Sequence, residues 1–277
     1  YKNYDLVKRC LLLFAGLSLN DGTITACLYE RPKLKAGTNF ILDYSLLFSA
    51  ALLDYVKAGG ELSLVREMWP LVIKQTNNVL SLLDSDNVFQ DPGTCWLFVD
   101  WSETLNKQTS LHAILLYALH CNQQLAEMIG EPQADWMRLI ERVRLAGREA
   151  FWDDQNIYVT SGPDKQRSWA SWSWAVISGL VTPQEGVEAY NKLLNDSEAV
   201  KPAGPYLMHY VVEAMIICGL KSQAFKLVKS YWGGMVERGA DTYWEVYDPE
   251  QPRLSPYSSP QINSCCHAWS CTASWFL

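Results

Sequence analysis

The sequence predicts an all-α protein, a toroid of helical hairpins, (α/α)6 in type and incomplete at its N-terminus. Three observations carry this expectation. Apolar residues recur at helical spacing along most of the chain, and no segment reads as an alternating strand pair. The helices come in pairs joined alternately by short and long connections. The long connections, residues 20–40, 84–104, 152–170, 196–205 and 239–263, bring aromatic side chains together with acids and amides. Long loops in compact domains are usually functional. Hairpins with every long loop on one rim suggest a ring whose central funnel those loops line. About ten helices fit, two fewer than six hairpins need.

The elements follow in order. Lys2 to Phe14 already reads as helix, although the chain opens on Tyr1, and Leu277 closes it inside an apolar segment. Both ends read as those of a piece of a longer polypeptide, with residues 1–277 as one catalytic-type domain and further domains upstream. Asp43 to Lys57 is a helix ended by Gly59-Gly60. Glu61 to Leu83 follows, with Pro70 predicting a kink or break after Trp69. Leu111, Ile114, Leu115, Ala118, Leu119 and Leu125 form a stripe; Gly130 closes that helix and Pro132 opens the next, Ala134 to Phe151. Thr182-Pro183-Gln184-Glu185 is a capping box with proline in the first turn. Tyr206 to Cys218 reads as a buried helix stopped by Gly219. Lys221 to Trp232 is its amphipathic partner, with Ala224, Phe225, Leu227, Val228, Tyr231 and Trp232 on the apolar side. Cys266 to Leu277 is the last apolar helix.

Composition excludes several function classes. At 49% hydrophobic and 19% charged, 277 residues are enough for a substantial core. A net charge of -7 argues against a nucleic-acid or anionic-membrane partner. No apolar run is long enough to span a bilayer, and no signal-peptide pattern stands at the start. The compartment stays open between periplasm and cytoplasm. Five of the eight cysteines are scattered, and Cys10 and Cys218 lie in apolar helical runs where a free thiol is commonly buried. Cys265, Cys266, Cys271 and His267 invite a zinc site, but the spacing matches no paired ligand framework. The cluster Asp84-Ser85-Asp86-Asn87 lacks the glycine and terminal glutamate of a calcium loop and reads as a solvated turn. No metal and no cofactor is expected.

The chemistry concentrates in the long loops. Gly239 to Glu250 sets Glu245 beside Trp244, with Tyr243 and Tyr247 close by. Apolar bulk on both sides restricts the hydration of a carboxylate, a setting suited to acid or base work; the competing reading is a buried turn closing a helical core. Trp96 to Glu103 places Asp100 and Glu103 among Trp96, Phe98 and Trp101. Asp43-Tyr44 enters a helix, where the plain reading of Asp43 is an N-cap. Trp169, Trp172 and Trp174 fall within six residues; Trp172 and Trp174 cannot share a helix face, so at least one is expected to leave the core. Twelve tryptophans, several in loops, suit carbohydrate: sugar C–H faces stack on indole while acids and amides take the hydroxyls. Glycoside hydrolysis needs two carboxylates about one bond, and these need not be close in sequence. The sequence holds no Gly-rich phosphate loop, no H-E-x-x-H and no G-x-S-x-G.

Gly239-Ala240-Asp241-Thr242-Tyr243-Trp244-Glu245, followed by Asn263 and His267, resembles the end of the catalytic domain of bacterial α-L-rhamnosidases, the six-hairpin enzymes of glycoside hydrolase family 78. Asp100-Trp101, Pro205 to Tyr210 and Trp232-Gly233 follow the same order. The resemblance implies an (α/α)6 toroid that hydrolyses terminal α-L-rhamnosides with inversion, and a rhamnose-containing glycan or glycoside as partner. It places Glu245 on the general base. It lines the sugar pocket with Trp244, Trp101 and His267, and with Asp100 on sugar hydroxyls; Asp43, Tyr44 and Trp172 are further substrate-binding candidates. The family's acidic motif ending in Trp-x-Gly-Asp is not in this sequence, so the general acid is expected outside it and the isolated chain to be nearly inactive. Two other readings remain: another toroid glycosidase or a polysaccharide lyase using His209 and Tyr210, and a sugar-binding toroid without catalysis.

Overall fold

The computed structural model describes residues 3–19, 21–251 and 253–276. The chain divides into two compact units, Tyr1–Phe98 with Leu111–Ala150, and Val99–Ser110 with Phe151–Leu277.

The first unit holds α1 (Tyr4–Gly16), α2 (Leu42–Lys57), α3 (Leu62–Leu80), all but the first turn of α4 (Gln108–Ile129), and α5 (Ala134–Phe151) up to Ala150. A two-stranded antiparallel pair, β1 (Leu28–Tyr29) and β2 (Lys35–Ala36), lies between α1 and α2 in sequence. Leu52, Leu64, Val65, Val72 and Leu125 form its core. Two buried amides are tied into this core: Asn122 Nδ2 donates to Thr76 Oγ1 at 2.7 Å, and Gln75 Oε1 accepts the Ile24 N–H at 3.1 Å. Of the kink or break expected after Trp69, the break does not occur: α3 runs through Pro70. A proline inside a helix costs about 3 kcal/mol. Leu64, Val65, Met68, Val72 and Val79 are all buried on this helix, and each contributes roughly 1.5–3 kcal/mol, so packing wins.

The second unit holds a three-stranded antiparallel sheet, β3 (Trp152–Asp153), β4 (Tyr158–Ser161) and β5 (Gln166–Arg167), in that spatial order. These strands, and β1–β2, correct the expectation of no strand pair; they are two to four residues long, too short to show alternation. Then come α6 (Trp169–Ile177), α7 (Pro183–Leu193), α8 (Pro205–Ile217), α9 (Lys221–Glu237) and α10 (Thr272–Phe276). Helix α6 packs against both α7 and α8, and α8 against α9. The capping box at Thr182 and Glu185 is formed, and Gly219 takes φ 77° after α8 as a C-terminal glycine should.

Several details differ from expectation. Helix α9 runs five residues past Trp232, and Phe225 on its expected apolar side is exposed. The last apolar segment is a 3-10 turn, Ala268–Ser270, followed by the five residues of α10. Cys10 is exposed, not buried. Asp84 Oδ1 accepts the N–H groups of Asp86 and Val88, both at 2.9 Å, which makes the acidic cluster a turn closed on itself. Tyr1, Lys2 and Leu277, named in the sequence reading, lie outside the described residues. Among the described residues no helix is long and apolar enough to cross a membrane, and no group of three or more His, Cys, Asp or Glu could hold a metal.

Candidate active site

Gly239, at φ 89°, ends α9 and turns the chain back beside it. The aromatic stretch that follows is tied to that helix. Tyr231 donates its hydroxyl to the Tyr247 carbonyl at 2.5 Å, and Arg238 reaches the Tyr247 hydroxyl at 2.6 Å and the Pro249 carbonyl at 3.0 Å. Gly234 is required here: a Cβ would stand 2.4 Å from the Tyr247 hydroxyl. With Val246 and Tyr247 packed inward, Glu245 is left 5% exposed.

The Glu245 carboxylate is held on both oxygens. Tyr257 donates its hydroxyl to Oε1, and the Ser264 N–H donates to Oε2 at 2.9 Å. The Glu245 N–H donates in turn to the Ser264 carbonyl at 2.9 Å, and Trp269 Nε1 donates to the Glu245 carbonyl at 2.9 Å. His267 Nε2 stands 4.0 Å from Oε1. Nδ1 of the same ring accepts the Trp269 N–H at 3.4 Å, so the neutral imidazole carries its proton on Nε2, toward the carboxylate. Burial pushes the imidazole below its ordinary range, and the Glu245 charge opposes that shift.

An aromatic wall surrounds this carboxylate. Trp101 meets Tyr257 edge-on with centroids 5.4 Å apart, and Trp269 at 6.2 Å. Trp269 also packs on His267 at 4.2 Å and on Tyr206 at 5.4 Å. Next to Trp101 sits Asp100, 2% exposed. Its Oδ2 accepts the Ala203 N–H at 2.7 Å, while Oδ1 is buried with no hydrogen-bond partner among the described residues. Burial pushes this carboxyl up to about 7, against the opposing Ala203 hydrogen bond. Val99, just before it, takes φ 52°, costly for a β-branched residue and common at functional sites. Gly204 leaves space beside the pair: a Cβ there would stand 3.5 Å from Trp101 Cδ1 and 3.9 Å from Asp100 Oδ1.

The structure therefore brings Glu245, His267, Trp101 and Asp100 into the second unit's loops. Trp244 is half-buried there, edge-on to Tyr247 at 6.0 Å. Asp43 and Tyr44 belong to the first unit. Asp43 is not the N-cap, which is Ile41; its Oδ1 accepts the Phe98 N–H at 3.0 Å, and Tyr44 packs edge-on to Phe98 at 5.9 Å. Neither Trp172 nor Trp174 leaves the core, contrary to expectation; they are 1% and 0% exposed. The two faces of α6 are both covered. Trp172 donates to the Gly186 carbonyl of α7 at 2.9 Å, and Trp174 packs on Tyr210 of α8 at 4.2 Å. His209 lies against Thr272 at 3.0 Å, and burial pushes it down to about 4. Sequence reasoning missed Tyr257, Trp269 and Ser264. Trp269, two residues from His267, was the visible signal; Tyr257 lies in a Pro- and Ser-rich loop with no pattern.

A family model described as the bacterial alpha-L-rhamnosidase 6 hairpin glycosidase domain matches residues 32–277. A rhamnosidase from Klebsiella oxytoca, solved with rhamnose bound, is 39% identical over 99% of this chain and 54% of its own, with a TM-score of 0.94. A family 78 rhamnosidase of Bacillus sp. GL1 is 20% identical over 99% of this chain and 29% of its own, TM-score 0.83. The alpha-L-rhamnosidase of Streptomyces avermitilis, complexed with L-rhamnose, is 17% identical over 96% of this chain and 25% of its own, TM-score 0.71. No curated protein matches. The chain spans about half the length of the Klebsiella protein and less of the other two. With most of its length matched by the family model and its helical hairpins superposing on these structures, the chain belongs to the bacterial α-L-rhamnosidase six-hairpin glycosidase family, an all-α toroid fold.

Proposed function

We propose that the protein hydrolyses terminal α-L-rhamnosides with inversion, with Glu245 as the general base that activates water. The observation that carries this reading is the Glu245 carboxylate itself. It is enclosed among aromatic rings and held by Tyr257 and Ser264, with His267 Nε2 4.0 Å away. A carboxylate oxygen that accepts one hydrogen bond keeps another acceptor direction, so water can still be bound and deprotonated. In the same reading Trp101, Trp244 and His267 contact the sugar. Asp100 Oδ1, buried with no hydrogen-bond partner among the described residues, is assigned to a sugar hydroxyl. Asp43 holds the Phe98 N–H, and Trp172, 1% exposed, is left to the core. The general acid is assigned to residues outside this sequence, so these 277 residues alone should turn over little substrate.

Rhamnose as the sugar is supported by the rhamnose bound to the Klebsiella and Streptomyces proteins. The test is an assay of the intact protein on p-nitrophenyl α-L-rhamnoside. Nitrophenol release supports the reading. Rhamnose binding without release would discard the hydrolase and leave a sugar-binding toroid.

A further inference from the structure

We propose that Tyr257 is a positioning residue for the Glu245 base, and that the loop around residues 254–263 is a strap that holds the phenol against it. The inference rests on the reading of Glu245 given above. Tyr257 is 37% exposed, so its ring is not chiefly a core contribution. Its hydroxyl nevertheless turns inward and donates to Glu245 Oε1. Burial and the neighbouring carboxylate both push the phenol well above its ordinary range, so it remains a donor through the pH range of hydrolysis.

The loop is built to fix this geometry. Ser255 Oγ accepts the Tyr257 N–H at 3.2 Å, lies 2.8 Å from Asn263 Oδ1 and donates toward the Ser259 carbonyl at 2.9 Å. Asn263 Nδ2 donates to the Leu254 carbonyl at 2.8 Å, which closes the loop on itself. Ser258, directly after the tyrosine, takes φ 64°, a conformation that only the surrounding contacts sustain in a residue other than glycine. On its other side the Tyr257 ring rests edge-on against Trp101. Together with the Ser264 N–H, the phenol fixes the plane of the carboxylate before substrate arrives. Hydrogen bonds placed in advance need no reorganisation in the transition state.

The test compares Tyr257→Phe with Glu245→Gln in the intact protein on p-nitrophenyl α-L-rhamnoside. Phenylalanine keeps the ring contact with Trp101 and removes only the donor. The expected result is a fall in kcat of roughly 10- to 100-fold with KM changed by less than about threefold, as losing a hydrogen bond to a charged group predicts. An unchanged kcat in Tyr257→Phe, with Glu245→Gln inactive, would overturn the proposal and leave the base assignment standing. An active Glu245→Gln would overturn both. Should Tyr257→Phe fail to fold, Ser255→Ala loosens the strap with the phenol retained: a lower kcat at unchanged KM supports the proposal, and an unchanged kcat overturns it.

Discussion

Glu245 and Ser264 face each other as a reciprocal pair: the Glu245 N–H donates to the Ser264 carbonyl, and the Ser264 N–H donates to the Glu245 carboxylate, both at 2.9 Å. One residue thus fixes the backbone and the side chain of the other. The arrangement is made between two loop segments, not within a helix. Its precision comes from the ties that hold each segment, to α9 on one side and to Trp269 and His267 on the other.

Asp100 gives a pH-dependent prediction. Its carboxyl is raised by burial from the ordinary value to about 7, so the fold prefers the protonated form. That contribution to stability is fully present below the unfolded value near 3.8, and is lost as pH rises to about 7. At about 1.4 kcal/mol per unit it amounts to roughly 4 kcal/mol at most. Asp100→Asn keeps an oxygen for the Ala203 N–H and cannot ionise. Its Tm relative to the parent should rise from pH 5 to pH 8, measured by thermal melts in matched buffers.

His209 behaves with the opposite sign. Burial lowers it from 6.5 to about 4, so the fold prefers the neutral ring. Stability from this source is present above about 6.5 and is lost as pH falls toward 4. The limit is about 3 kcal/mol at 1.4 kcal/mol per unit. His209→Gln, which can still face Thr272, should flatten the loss of Tm between pH 6.5 and pH 4.

Two tryptophans separate core from site. Trp172→Ala should cost about 3–5 kcal/mol of stability, the usual result of emptying a buried indole position. Trp101→Ala, at a half-buried ring beside Asp100, should lower kcat/KM by roughly tenfold or more through lost stacking, with a smaller loss of stability. Urea melts and steady-state kinetics on both variants distinguish the roles.

The helices were legible because their signals are local. The Thr182 capping box, Gly130 and Gly219 as terminators, and the Leu111 to Leu125 stripe each act within a turn or two. The Trp-Glu motif at 244–245 marked the candidate site for the same reason. What sequence could not show depends on pairing across the chain. Tyr257 and Ser264 reach Glu245 over 12 and 19 residues, and Ala203 reaches Asp100 over 103. Trp172 and Trp174 were read with one face outward because the sequence does not say that α6 has neighbours on both sides. Pro70 was overruled by the buried face of α3, a sum of tertiary contacts that local propensity does not contain.

The most direct test of Glu245 as the base of an inverting reaction is the anomer first formed on hydrolysis. Proton NMR of the intact protein acting on p-nitrophenyl α-L-rhamnoside, read before mutarotation, should show β-L-rhamnose appearing first. Glu245→Gln should slow its release by about 10²- to 10⁴-fold, the usual contribution of general-base catalysis. First appearance of the α anomer would contradict the account, since Glu245 would then not be directing water to the opposite face of the sugar.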